Sequence, residues 1–321
     1  MTENLVIDAH ADTLLKLYFG SLMRFSSQEK DPMHITKAFL EEGKVNVQVF
    51  AMFVPPKLEK IGLEVTLEMI QIAKEKALNE NFIIVKSSKD LDYVSQNKNS
   101  TTGMVLSIEG AIAVERNLKI LPLIHELGVR NIGITWSRQN LFGEGVSFTE
   151  KKTGRGLSKD GIQLLEDMNN LGMLIDVAHL NYEGYMDVMQ FTDGPFIDSH
   201  SNAHSVCPIS RNLTDDQLEM IASADGVVGV NFYPKFLSPT PEKTSIDDVI
   251  KHIKYITDLI GTEHVGLGSD FDGIATTPLG LEDARKMKNL EPLLEKEGFS
   301  KKDIQRIMGG NFERVFRKVW K

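Results

Sequence analysis

Short apolar runs and longer amphipathic stretches alternate along the chain. Eight runs are rich in Val and Ile and mostly continuous: Leu5–Ala9, Val45–Phe53, Met104–Ile108, Arg130–Thr135, Met173–Val177, Pro195–Asp198, Val227–Asn231 and Val265–Gly268. Continuous runs of this length read as parallel strands covered on both faces, because a strand with one wet face would alternate. Between them, Gly62–Asn79 carries Leu63, Leu67, Ile70 and Ala73/Ala77, the spacing of one helical face. Leu118–Leu127, Ser158–Leu171, Thr214–Ala224 and Ser245–Ile260 behave similarly. Ser158, Thr214 and Ser245 stand where N-caps are needed. Asp216 and Asp248 fall in first helical turns, where a carboxylate meets the positive end of the helix dipole. The tail Lys301–Lys321 reads as two short helices broken at Gly309-Gly310. Lys86–Gly103 stays open between a further short strand and a helix.

Eight buried strands in a β/α series predict an α/β fold, a (β/α)8 TIM barrel, with residues 1–321 as a single domain. A doubly wound open sheet is the alternative arrangement of the same elements. No fixed-period repeat and no Pro/Gly/Ser-rich linker divides the chain.

Composition narrows the function classes. Apolar residues make up 41% and charged residues 25%, enough for a large core and against disorder. With 45 acidic and 36 basic residues the formal charge is −9, and no basic block offers a nucleic-acid surface. No apolar run approaches the roughly 18 residues of a membrane span, and Met1–Asn4 lacks the basic start of a signal peptide. The lone Cys207 excludes an intrachain disulfide. It reads as a buried inert thiol. Together these set the expectation of a cytoplasmic protein without nucleic-acid or membrane partners.

Chemistry collects just after the strands. The first is followed by Asp8-Ala9-His10-Ala11-Asp12, the third by Ser107-Ile108-Glu109-Gly110 and the fifth by Ile175-Asp176-Val177-Ala178-His179. The sixth is followed by Asp198-Ser199-His200-Ser201 and the eighth by Gly268-Ser269-Asp270-Phe271-Asp272-Gly273. Barrel enzymes carry their reactive groups at these ends. His10 and Asp12, two residues apart on an extended strand, share a face. Glu109, His179 and His200 can join them from other strands, a nitrogen and oxygen set suited to zinc or a similar transition ion. Five ligands exceed one catalytic zinc and fit two metals if a carboxylate bridges, with Glu109 the natural bridge. Each residue alone has an ordinary explanation, as a loop hydrogen bond or a buried imidazole; their shared placement is the signal. His34, His125, His252 and His264 read as structural, and His204 as a loop cap that could line the site.

These motifs resemble the membrane dipeptidase (renal dipeptidase) family of zinc metallopeptidases, in a cytoplasmic microbial-type form. The likeness spans nearly the whole chain and extends to Arg211-Asn212-Leu213, Val230-Asn231-Phe232-Tyr233 and the ending Gly309-Gly310-Asn311-Phe312. It implies a metallo-dependent hydrolase barrel, amidohydrolase-like in architecture, that hydrolyses dipeptides through a hydroxide bridging two Zn2+ ions. It implies that His10 and Asp12 bind one zinc, His179 and His200 the other, and that Glu109 bridges. It also implies Asp270 as the proton-transfer carboxylate, Arg211 on the substrate carboxylate, and a homodimer. A structural ion pair of Arg211 with Asp215 or Asp216 is the alternative for that arginine. Where mammalian members have Thr-His-Ser after the fourth strand, this chain has Thr135-Trp136-Ser137-Arg138. Trp136 and Arg138 are therefore candidate substrate contacts that bear on the substrate range, and Tyr233 is a further candidate substrate contact. A deacylase of another small amide, and a non-catalytic ligand-binding barrel, are the alternative functions.

Overall fold

The computed structural model describes residues 5–20, 33–146 and 153–320. Its strands are β1 (Ile7–Ala11), β2 (Val47–Phe53), β3 (Phe82–Ile84), β4 (Thr102–Glu109), β5 (Val129–Gly133), β6 (Leu174–Asp176), β7 (Ile197–Asp198), β8 (Val227–Val230) and β9 (Val265–Leu267). They run in the order β2-β1-β9-β8-β7-β6-β5-β4, all parallel, and β2 also pairs with β4. That last pairing joins the ends of the row into a closed eight-stranded barrel and excludes the open sheet. It is also the longest register, from Val47 opposite Gly103 to Phe53 opposite Glu109.

One strand escaped the sequence reading. β3 lies outside the ring, pairing Phe82–Ile84 with Thr102–Met104, while the far half of β4 pairs with β5. Three residues are too few to display a period, so Phe82-Ile83-Ile84 gave no strand signal. The open stretch after it forms the helix Ser88–Gln96 and the start of β4.

The helices begin where capping chemistry places them. Ser158 accepts from Gly161 N ahead of Lys159–Leu171, and Ser245 accepts from Asp247 N ahead of Ile246–Ile260. Thr214 forms a reciprocal capping box with Gln217 at Asp215–Ser223. The helix Gly62–Glu80 ends on Asn81 in the left-handed conformation. Leu118–Leu127 resolves into a 3-10 turn, Leu118–Ile120, and the helix Leu121–Glu126.

In the tail, the helices Lys301–Gln305 and Asn311–Val319 flank a wide turn at Arg306–Gly310. Gly309 there abuts the start of β1: a Cβ would lie 2.2 Å from Leu5 O and 2.6 Å from Ile7 N. The close approach, not the glycine's flexibility, accounts for the residue. Beyond it Phe312, Val315, Phe316 and Trp320 pack with Ile7, Val47, Val105, Leu174, Ile197 and Val227 in one of two buried apolar clusters. Among the described residues no helix is long and apolar enough to cross a membrane.

Candidate metal centre

Polar side chains gather where the strands end. His10 lies within β1 and Glu109 is the last residue of β4. His179, His200 and Asp270 lie just past β6, β7 and β9. Backbone bonds prolong the contact between β1 and β9: Asp12 N donates to Phe271 O (2.9 Å) and Asp270 N donates to His10 O (3.1 Å). Two segments some 260 positions apart are thereby stitched together. His179 (φ 67°) and Asp270 (φ 63°) adopt the left-handed conformation that a side chain seldom occupies. Such turns persist where surrounding contacts impose them, often at functional sites.

The five candidate ligands form one buried cluster. His10 Nε2 lies 3.6 Å from Asp12 Oδ2 and 3.8 Å from Glu109 Oε2. His179 Nε2 lies 2.9 Å from Glu109 Oε1 and 2.9 Å from His200 Nε2, which is itself 3.6 Å from Glu109 Oε1. His10, Asp12 and Asp270 converge as a second group, so His10 belongs to both gatherings. His10 Nε2 and Asp12 Oδ1 are buried with no hydrogen-bond partner. Orphaned buried donors and acceptors are costly in a finished core, and a cation would satisfy both. Three imidazoles and two carboxylates therefore fit a zinc-type centre.

Hydroxyl groups hold the imidazoles from behind. Ser137 Oγ contacts His179 Nδ1 at 2.7 Å, and Ser199 Oγ contacts His200 Nδ1 at 2.8 Å and His10 Nδ1 at 3.4 Å. With Nδ1 engaged, Nε2 of each ring faces the cluster, the usual way that neighbours orient metal-binding histidines. Both serines stand inside sequence motifs that gave them no role. So does Asn231, just after β8, whose Nδ2 donates to Asp270 Oδ2 at 2.9 Å. The signal available was position alone: each follows a strand's C-terminal end.

Crowding shifts the protonation of these groups. Burial opposes charge on His10, yet nearby Asp12, Glu109 and Asp270 push its pKa up to about 10. Burial, reinforced by the Asp12 charge, lifts Glu109 well above the usual carboxylate range. Burial drives His179 and His200 well below the usual imidazole value, with the charges of Arg211 and His10 adding to it. Asp270, partly exposed at the rim, is raised to about 6 by desolvation against the pull of His10. Raised pKa values favour protons on His10 and Glu109, which a bound metal would displace.

Arg211 is buried beside this cluster. Its Nη1 donates to Ser201 Oγ and its Nη2 to His200 O (2.9 Å), while Nε has no partner. The alternative ion pair is not formed: Asp215 accepts from Ser205 and Tyr255 instead. No carboxylate of the described residues lies within ion-pair distance of the guanidinium. Arg211 and His179 line a cavity of about 420 Å³ together with His204, Asn181, Tyr182 and Gln217.

The remaining candidates divide. Trp136 lies near the cluster, with its ring 6.1 Å from His179 and 4.8 Å from Phe53 between centroids. Arg138 Nη1 donates to Glu59 Oε1 at 3.1 Å. Tyr233 packs edge-on against Phe236 and is absent from the lining of the large cavity. Of the histidines read as structural, His252 accepts from Ala203 N and contacts Leu237 O, and His264 contacts Gly226 O. His34 is closer to the site than expected, accepting from Asp272 N in the loop after β9. Cys207 is buried, and burial pushes its thiol pKa up.

A family model described as membrane dipeptidase, peptidase family M19, matches residues 1–321. The chain is 32% identical to an uncharacterized dipeptidase of Schizosaccharomyces pombe, over 98% of this chain and 80% of that protein. It is 31% identical to dipeptidase aclJ of Aspergillus oryzae, over 99% and 79%. A metallo peptidase from Rhodobacter sphaeroides, solved with a phosphinate mimic of the dipeptide L-Ala-D-Ala, matches with a TM-score of 0.90 and 29% identity. That match covers 99% of this chain and 100% of the solved one. A second solved dipeptidase, titled dipeptidase AC, matches at 30% identity and a TM-score of 0.90 over 99% of both chains.

Proposed function

Because the chain belongs to the membrane dipeptidase family of metallopeptidases, M19, we propose that it hydrolyses dipeptides with a pair of zinc ions. One observation carries the metal part of this reading: a buried set of three imidazoles and two carboxylates in which His10 Nε2 and Asp12 Oδ1 lack hydrogen-bond partners among the described residues. His10 and Asp12 would hold one ion, and His179 and His200 the other. Glu109 suits the bridging position because its two oxygens face different imidazoles, Oε2 toward His10 and Oε1 toward His179 and His200. When bound, zinc lowers the pKa of water toward about 7 and offsets negative charge on the carbonyl oxygen.

The chain's own groups do the rest. Asp270, fixed by Asn231, takes a proton from the attacking water and returns it to the leaving amine. Arg211 holds the substrate's terminal carboxylate. A buried guanidinium without an anion is costly, and a carboxylate ligand completes it. Trp136 and Arg138 border the site on the Glu109 side. Tyr233 would approach substrate from the loop after β8. A homodimer in the cytoplasm belongs to the same proposal, and sedimentation at twice the chain mass tests its oligomeric part.

The experiment is a panel of L,L and L,D dipeptides, their C-terminal amides and N-acyl amino acids, offered to zinc-loaded protein. Cleavage of free dipeptides, with kcat/KM at least ~10-fold lower for the amides, is expected, since an amide cannot complete the Arg211 ion pair. Cleavage of acyl amino acids without any dipeptide would favour the deacylase reading.

A further inference from the structure

Two cavities of unequal size flank the ligand cluster. The larger, about 420 Å³, touches His179 and contains Arg211. The smaller, about 20 Å³, touches Glu109 and is walled by Phe53, Ile112, Trp136 and Arg138. We propose that Trp136 is a specificity-determining residue that limits the substrate's N-terminal residue to glycine or alanine, while the C-terminal position accepts large side chains.

This inference rests on the dipeptidase reading, with the substrate carboxylate at Arg211. A dipeptide held there places its C-terminal side chain in the larger cavity and its peptide bond over the cluster. The N-terminal residue is then left to the Glu109 side. A volume near 20 Å³ holds about one water-sized group. That is room for a hydrogen or a methyl group, and a leucine side chain brings three further carbons.

The wall of the small cavity has little freedom to retreat. Phe53 is the last residue of β2 and sits in register opposite Glu109, so the ladder fixes its position. The Trp136 ring rests on it at 4.8 Å. Behind Trp136 the backbone is tight as well: Gly110 has φ +70°, and a Cβ there would lie 3.0 Å from Trp136 N and 3.2 Å from Trp136 Cβ. On the outer side, the Arg138–Glu59 ion pair ties the loop after β5 to the 3-10 turn Pro56–Ile61.

The test compares Ala-Ala and Leu-Ala as substrates of zinc-loaded wild type, Trp136→Ala and Trp136→Phe. Dissociation constants are measured in parallel for phosphinate mimics bearing either side chain on the N-terminal side. Wild type is expected to favour Ala-Ala by at least ~10-fold in kcat/KM, the scale at which a pocket sorts side chains by size. Trp136→Ala should shift that ratio at least ~10-fold toward Leu-Ala, Trp136→Phe should shift it less, and the mimics should follow the same order. Equal use of both dipeptides by wild type overturns the inference without any variant, as does an unchanged ratio in folded variants. In either case the dipeptidase reading survives. If zinc-loaded wild type cleaves no dipeptide, that reading fails and the inference falls with it.

Discussion

At the residue scale, the site is a set of charges arranged so that none is complete alone. Among the described residues Arg211 forms no ion pair, His10 Nε2 and Asp12 Oδ1 have no hydrogen-bond partner, and Asp270 is tied by one amide from Asn231. The proton-transfer role proposed for Asp270 leads to a sharp expectation. Asp270→Asn should retain the metal content of wild type yet lose at least ~100-fold in kcat, measured by elemental analysis beside steady-state kinetics. Near-wild-type turnover would remove Asp270 from the mechanism. The acids and imidazoles were readable in the sequence because ionisable residues at strand ends are conspicuous. Ser137, Ser199 and Asn231 were not. Uncharged polar residues are common in loops, and only distances show that their side chains end on His179, His200 and Asp270.

At the element scale, the loop after β9 is where a small change should matter most. Gly273 sits against two of the site's carboxylates: a Cβ there would lie 2.1 Å from Asp12 Oδ2 and 2.6 Å from Asp270 Oδ1. Gly273→Ala should therefore spread these carboxylates and weaken zinc binding by at least ~10-fold in a protein that still folds. Calorimetric titration checks this, and unchanged affinity would contradict it.

The helix Ile246–Ile260 offers a test through pH. His252 on it is buried against Ala203 and Leu237, and burial lowers its pKa from 6.5 to about 4. The unfolded chain thus takes up this proton first as pH falls. The stabilisation is whole above pH 6.5 and is lost between there and about 4, a difference on the order of 3 kcal/mol. Urea melts at pH 7.5 and 4.5 should show His252→Gln losing about 2 kcal/mol less than wild type over that interval. Parallel losses would refute it. Helix starts were legible because caps are local chemistry, as Ser158, Thr214 and Ser245 show. β3 was not legible, because its partner is twenty residues away and its own three residues carry no period.

At the scale of the whole molecule, barrel closure makes the site. The candidate ligands come from β1 and the residue after it, from β4 and from the loops after β6 and β7, and the β2–β4 pairing closes the ring that brings these ends around one mouth. The number of buried strands in the ring could be counted in the sequence, since each is a continuous apolar run. The closing pair could not, because registers such as Phe53 against Glu109 are set by the ring as a whole. The formal charge of −9 gains a local meaning here, since Asp12, Glu109 and Asp270 converge on one mouth where bound dications would offset them. The most direct test of the central claim is a zinc titration of chelator-depleted protein, followed by both bound metal and dipeptide hydrolysis. Hydrolysis should be absent without metal and rise to a plateau at about two zinc ions per chain. Full hydrolysis in the depleted protein, or none of any dipeptide at saturating zinc, would contradict the account.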